Sequence, residues 1–374
     1  MADVHVTELS KRFGTIEAVR GVSLDVADRG FVVLLGPAGA GKTTTLKLIA
    51  GVERPDSGEV YVGSQRVTDV PAEWRNLAMV FENYALYPHM TVRDNLSFPL
   101  RAPGREAKLT AAAIEERISR VARTLEIEGL LDRYPWQLSG GQRQRVALGR
   151  VLVREPAAFL MDEPIAHLDA KLRHAMRSEL KRLQKEIGVT TILATPDYAE
   201  AMALADQVVI LREGVVQQVG APLDIFDQPT NTFVAHLLGD PPMNLRSMTL
   251  RREGGRVELV SEGLEVEMDP GAARALDAAG VGATVVLGLR PSDLAVHEAG
   301  VPDGGTFTGR VILQELRGSR SVVTVDVGES SIIAMCPSQH LLAWGAQVLV
   351  RYDRKRLHLF NPVDGTRIPT VPDA

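Results

Sequence analysis

The stretch FVVLLGPAGAGKTTT, residues 31–45, limits the possible folds of this chain more than any other. Five apolar residues read as a buried strand and a helix is expected to begin near Lys42, so the glycine-rich turn lies between the two. Glycines there let consecutive backbone N–H groups turn inward, and the helix N-terminus adds a positive dipole end. Gly36, Pro37, Ala38, Gly39, Ala40, Gly41, Lys42, Thr43 and Thr44 are therefore expected to cradle a triphosphate. Lys42 would reach the β and γ phosphates, and the Thr43 hydroxyl would ligate Mg²⁺.

Around this loop, from residue 1 to about 235, short apolar runs such as TTILAT at 190–195 alternate with helical patterns. That grammar predicts an α/β layer structure with a largely parallel sheet. A helical insertion over about 84–150 carries Ile114, Ile118, Val121 and Leu125 at helix spacing, which predicts one buried stripe. The run AAFLMDEP, 157–164, reads as a strand ending in two carboxylates. Asp162 is suited to hold Mg²⁺ through water, and Glu163, pointing elsewhere, to polarise an attacking water. QLSGGQRQRVALGR, 137–150, opens another helix, with Ser139 suited to the N-cap and Gly140 and Gly141 permitting close approach, so its free N–H groups make a second anion site.

After about residue 240 the pattern changes to short strands (RVELVS, LEVEM, ATVVLGL, GRVILQEL, SVVTVDVG, SIIAM, QVLVRY) separated by turn residues. Residues 236–374 are therefore expected to form a second, mainly β domain of the oligonucleotide/oligosaccharide-binding type, entered through a linker, LGDPPMNLRS. A length of 374 residues suits two unequal domains. No apolar run approaches the roughly 20 residues that span a bilayer. The charged N-terminus and the single cysteine, Cys336, fit a cytoplasmic protein without disulfides. The eight histidines include no HExxH spacing, and a net charge of −5 argues against a nucleic-acid partner.

With its LSGGQ segment at 138–142, and the other motifs in order around it, the chain resembles the ATP-binding cassette (ABC) family. The resemblance implies an α/β P-loop NTPase cassette with a helical subdomain, using ATP and Mg²⁺. It implies two cassettes facing head to tail, each ATP held between the cradle of one and the signature of the other. Phe13 is then similar to the aromatic that stacks on adenine. Ser139, Gly140, Gly141 and Gln142 match the donors to the partner's γ phosphate, and Asp169 the aspartate that crosses the interface. ENYALYPHMTVRDNLSFPL, DAKLR, PPMN and the tail from LGLRPSDL to LHLFNPVDG are similar to the ATPase subunits of sugar, polyol and glycerol-phosphate importers. That group has a C-terminal all-β OB-like (TOBE) domain for dimer contacts and regulation. It binds membrane permease subunits from the cytoplasmic face of the inner membrane, and an extracytoplasmic solute-binding protein supplies the solute. The matching permease lip runs from Tyr84 to Val92.

Two positions depart from the family pattern. Where it has a histidine that contacts the γ phosphate, this chain has Pro196, which offers neither a side-chain donor nor a backbone N–H. Thr195 is expected to cap the following helix with Pro196 as its first residue. Glu82 stands in place of the glutamine that ligates Mg²⁺; it can still ligate, but a carboxylate about 4 Å from a phosphate costs about 4 kcal/mol at an effective dielectric of ~20. Both departures fall on this chain's own half-site, while its contribution to the opposite site is intact. A degenerate subunit paired with a non-identical, complete ATPase follows as the expectation. The alternatives are a competent homodimer, which the retained Glu163 favours, and a non-hydrolytic ATP sensor.

Overall fold

The computed structural model describes residues 2–81, 85–101, 109–166, 170–253, 256–298, 305–328 and 330–369. The chain divides into two compact units, Met1–Ile225 and Phe226–Ala374.

Among its described residues the first unit carries ten strands: β1 (Val4–Phe13), β2 (Ile16–Val26), β3 (Phe31–Leu35), β4 (Ser57–Val62), β5 (Gln65–Arg66), β6 (Leu77–Val80), β7 (Ala158–Asp162), β8 (Thr190–Thr195), β9 (Gln207–Arg212) and β10 (Val215–Gly220). Six of them form a sheet of order β10-β9-β3-β8-β7-β6, parallel except for the β10 edge. β3, β7 and β8 are buried along their whole length, as strands covered on both faces must be. A second sheet, β2-β1-β4-β5, is antiparallel. The alternation of apolar runs and helices did not disclose it, because β1 and β2 each mix buried and exposed positions irregularly around bulges.

The described residues of this unit also form the helices α1 (Lys42–Ala50), α2 (Val92–Arg101), α3 (Ala111–Thr124), α4 (Gly140–Leu152), α5 (Ala170–Ile187) and α6 (Tyr198–Leu204). Ile114, Ile118, Val121 and Leu125 are all buried, so the α3 stripe packs as its spacing predicts. Gly149 lets α4 lie close to its neighbours: a Cβ there would stand 2.7 Å from Leu96 Cδ2 and 3.2 Å from Leu125 Cδ1. Arg75, almost wholly buried, anchors the far end of α1 by donating to the Leu48 and Ile49 carbonyls at 2.8 Å, and its other nitrogens satisfy Thr68 and Val70. Among the described residues Leu48 O otherwise meets only the C-cap Gly51 N–H, at 3.2 Å, so a fixed cation at this helix end suits both its spare acceptor capacity and the dipole.

Two short helices, α7 (Pro222–Asp227) and α8 (Thr232–Leu237), lead along the chain into the second unit. This unit holds two sheets. One joins β11 (Asn244–Glu253), β12 (Arg256–Ser261), β13 (Leu264–Glu267), β14 (Thr284–Leu289), β20 (His358–Phe360) and β21 (Arg367–Ile368); the other joins β15 (Leu294–Glu298), β16 (Thr306–Arg317), β17 (Arg320–Val327), β18 (Ser330–Pro337) and β19 (Gln347–Tyr352). Met248, Leu259, Leu287, Val323, Ile332 and Val350 pack in one core between them. Asn244 stitches the sheets together: its amide donates to Leu289 O and Ile333 O and accepts from Ile333 N at 2.8 Å. The expected linker is therefore shorter than its proline content suggested, because Asn244–Ser247 already belong to β11. A nine-residue helix, α9 (Pro270–Ala278), capped by Asp269, interrupts the strands and was not anticipated.

Candidate active site

The sheet register brings the chemistry to one edge. Leu35, the last residue of β3, pairs with Thr195 at the end of β8, and Ala194 pairs with Asp162 at the end of β7. The glycine loop, the two carboxylates and Pro196 thus emerge from three adjacent parallel strands, at the carboxyl edge where open α/β sheets bind ligands.

The cradle is closed by backbone. A Cβ on Gly36 would meet Leu211 O at 2.3 Å and Ala40 Cβ at 2.9 Å; one on Gly41 would meet Ala18 O at 2.5 Å. Gly41 also has φ of 98°. These glycines are required by close approach and, at Gly41, by conformation too. Lys42 opens α1 and is buried, with Nζ donating to Gly36 O (2.9 Å) and Pro37 O (3.0 Å) and lying 3.7 Å from Glu163 Oε1. Burial pulls its pKa down, against the opposing pull of Glu163 and Asp162. Next to it, Thr43 Oγ1 donates to Asp162 Oδ1 at 2.8 Å. Glu163 adopts φ of 46°, the left-handed region that a side chain rarely enters, and its N–H is tied to Ala194 O at 2.9 Å. That turn aims the Glu163 carboxylate toward Lys42 while Asp162 faces Thr43.

A pocket of about 500 Å³ opens over the loop, lined by Ala38 to Thr44 and Glu163 together with Ile16, Glu17, Ala18, Arg20 and Glu213. Those last five were not singled out in the sequence; they reach the site on the first residues of β2 and on the β9–β10 hairpin, which Arg20 ties together by donating twice to Glu213 O. Phe13 is not among the lining residues; its ring is partly exposed, with Lys11 Nζ 5.4 Å from its centroid. The residues present fit a magnesium triphosphate. The start of α1 under the loop and a buried ammonium suit the anion, and a hydroxyl beside a carboxylate suits a hard cation. No cluster of three His, Cys, Asp or Glu able to hold a metal occurs among the described residues, so a cation here would share its ligands with the phosphates.

At the edge of this site the local reading of Thr195 needs correction. The helix begins at Tyr198 and its N-cap is Asp197, which accepts from Ala199 N at 2.8 Å. Thr195 is the last residue of β8; its hydroxyl donates to buried Glu200 Oε2 at 2.7 Å and accepts from Asp197 N at 3.1 Å. With that hydroxyl engaged by Glu200, capping falls to Asp197, and Pro196 forms an exposed corner instead of the first helical turn.

The N-cap expected at Ser139 is present. Ser139 caps α4 by accepting from Gln142 N (3.3 Å), while the Gln142 side chain accepts from Ser139 N (3.0 Å), a reciprocal capping box. In the lip, Leu86, Tyr87, Pro88 and Met90 are all partly or fully exposed. Asn95 of α2 holds this turn: its amide donates to the carbonyls of Tyr87, Met90 and Thr91 and accepts from Tyr87 N at 2.9 Å. Glu82, Tyr84 and Asp169 lie outside the described residues.

Fold and site together define a P-loop ATPase cassette carrying a β domain. Comparison with known proteins narrows this. The ABC transporter family model matches residues 19–166, the MalK OB fold domain 239–294 and the TOBE domain 287–360. The trehalose/maltose import ATP-binding protein MalK of Thermococcus litoralis is 43% identical, over 98% of this chain and 100% of its own length. The sn-glycerol-3-phosphate import ATP-binding protein UgpC of Cereibacter sphaeroides is 41% identical over 98% and 100%. The xylose/arabinose import ATP-binding protein XacJ of Haloferax volcanii is 40% identical over 98% and 96%. Among solved structures, a dimeric post-hydrolysis state of the ATP-binding cassette MJ0796 bound to ADP and Pi matches with a TM-score of 0.53 and 30% identity, covering 59% of this chain and 98% of that one. The chain belongs to the ATP-binding proteins of ABC transporters, in the group whose cassette is followed by MalK-type OB and TOBE domains.

Proposed function

We propose that this chain energises an importer of a carbohydrate, polyol or glycerol-type solute, and that it does so as the subunit with a degenerate site of its own. Full-length similarity to import proteins for trehalose/maltose, glycerol-3-phosphate and xylose/arabinose supports the solute class. No helix among the described residues is long and apolar enough to cross a membrane. On this reading the chain binds permease subunits peripherally, through the lip from Tyr84 to Val92, on the cytoplasmic face of the inner membrane. A solute-binding protein acts on the other face.

Bound MgATP supplies the transferable phosphoryl group and the charge that the cradle neutralises. Lys42 and the loop N–H groups hold the phosphates, Thr43 and Asp162 orient the cation, and Glu163 accepts a proton from the attacking water. Missing from this set is a donor at position 196. The observation that carries the degenerate reading is the partition: Pro196 follows β8 at the edge that bears this chain's cradle, and the family pattern assigns Glu82 to the same half-site, whereas the Ser139–Gln142 tip, which would complete a partner's site, is fully capped. Loss of one such catalytic hydrogen bond commonly costs ~10²-fold or more in rate. A competent homodimer is the second reading, favoured by the retained Glu163 beside Lys42. Mixed complexes with a copurifying cassette test this: turnover lost on the partner's Glu-to-Gln change but kept in Glu163→Gln supports the proposal. The reverse pattern refutes it.

A further inference from the structure

Arg150 stands in the last turn of α4, ten residues beyond the Gly140 start of that helix, roughly 15 Å along a rigid rod. Its guanidinium carbon lies 4.6 Å from the centroid of the Tyr87 ring, within cation–π range, and Nη1 donates to Ala85 O. Tyr87 in turn packs on Phe98 of α2, with ring centroids 4.7 Å apart. The lip is therefore held from two sides, by Asn95 of α2 through its backbone and by Arg150 of α4 through its ring and one carbonyl.

Packing alone does not call for an arginine there. Arg150 Nε is buried with no partner among the described residues, and desolvation pulls the pKa of the guanidinium down. A leucine or methionine would fill the space without that cost. What an arginine adds is a directional contact of two kinds, a donated hydrogen bond and a ring contact, on the helix whose other end is the Ser139–Gln142 anion site.

We propose that Arg150 is the positioning residue that transmits nucleotide engagement at the α4 tip to the permease lip, through its contacts with Tyr87 and Ala85. The proposal rests on the lip being the permease-binding surface, as argued above. Movement of α4 when its tip closes on a phosphate carries Arg150 with it and re-aims residues 85–91. Asn95 keeps the turn intact, so that it moves as one piece.

The only native cysteine, Cys336, is buried, so Cys placed at exposed His89 is a selective reporter. In the complex purified with its membrane subunits, the rate of maleimide alkylation of His89→Cys is measured with and without MgATP. We expect an ATP-dependent change of about fivefold or more, the lower end of usual site-to-site coupling. The change is lost in Arg150→Met and partly kept in Arg150→Lys, with nucleotide affinity unaltered in both. Should Arg150→Met fail to fold, Tyr87→Leu removes the ring contact from the lip side and should weaken the response, and Tyr87→Phe keeps the ring and the response. An ATP response that survives both Arg150→Met and Tyr87→Leu overturns the proposal, as does an unresponsive lip in the otherwise native protein. Failure of the docking reading looks different: alkylation is then no slower in the complex than in the free chain, while the response to ATP persists.

Discussion

Lys42 Nζ and Glu163 Oε1 lie 3.7 Å apart, with the lysine buried and the glutamate held in a left-handed backbone conformation. The ammonium that would meet the phosphates is thus shared with the carboxylate that would meet the attacking water. Removing the negative charge leaves Lys42 committed to the phosphates and lifts a repulsion from them. Glu163→Gln is expected to bind MgATP about tenfold more tightly, equivalent to about 1.4 kcal/mol, in a titration with a fluorescent analogue. Unchanged or weaker binding would show that the pair has no part in nucleotide affinity.

The two glycines at the start of the cradle make a contrast that tests its geometry. A methyl group on Gly36 would collide with the backbone oxygen of Leu211, which cannot step aside without moving β9. Gly39 has φ of 78° but open space around its missing Cβ. Gly36→Ala should abolish nucleotide binding, while Gly39→Ala should cost only about 1–2 kcal/mol of conformational strain and retain binding. Equal losses in calorimetric titrations of the two variants would contradict this account of the loop.

Glu200 carries the pH signature of the Pro196 corner. Burial raises its pKa above the ordinary glutamate value, and the Thr195 hydroxyl bond only partly offsets this. A carboxyl whose folded pKa is raised stabilises the fold below the unfolded value and loses that contribution as pH rises through the folded value. Glu200→Gln keeps an acceptor for Thr195 and has no charge to bury. Thermal midpoints of the two proteins should lie closest in acid, with the variant gaining on the native protein as pH rises above the ordinary glutamate range. A gap that narrows with rising pH would reverse the assigned cause.

Much of the site was legible in the sequence because its chemistry is local. Gly36 to Thr44 sit on one strand–loop–helix turn and Ser139 caps its own helix, so local pattern pointed to them, whereas Gln142 came only with the family resemblance and its capping role only with the structure. Thr195 was misread for the same reason. Ser or Thr before Pro is a good local start for a helix, but Thr195 is already pledged to β3 by strand pairing and to Glu200 by its hydroxyl, and neither bond is visible in TPD. Arg75, Arg150 and Arg20 escaped notice because their partners lie 27, 65 and 193 positions away in the chain. The left-handed turn at Glu163 was equally hidden: no residue type announces it, and it exists because Ala194 O receives the Glu163 N–H. In the second unit the strand order was beyond reach for a related reason. β14 pairs with β11 and β20, segments separated by most of the unit's length; alternation marked β12 to β14 and β16 to β19, but not β11, β15, β20 or β21.

The central claim is that a proline corner cannot supply what the terminal phosphate needs, and steady-state ATP turnover of the isolated chain, native against Pro196→His, tests it most directly. Pro196 is exposed and lies outside the helix, so the substitution disturbs little of the fold. We predict slow native turnover and a rise of at least about tenfold in Pro196→His, a fraction of the ~10²-fold that one catalytic hydrogen bond usually contributes. Brisk native turnover that Lys42→Ala abolishes and Pro196→His leaves unchanged would contradict it.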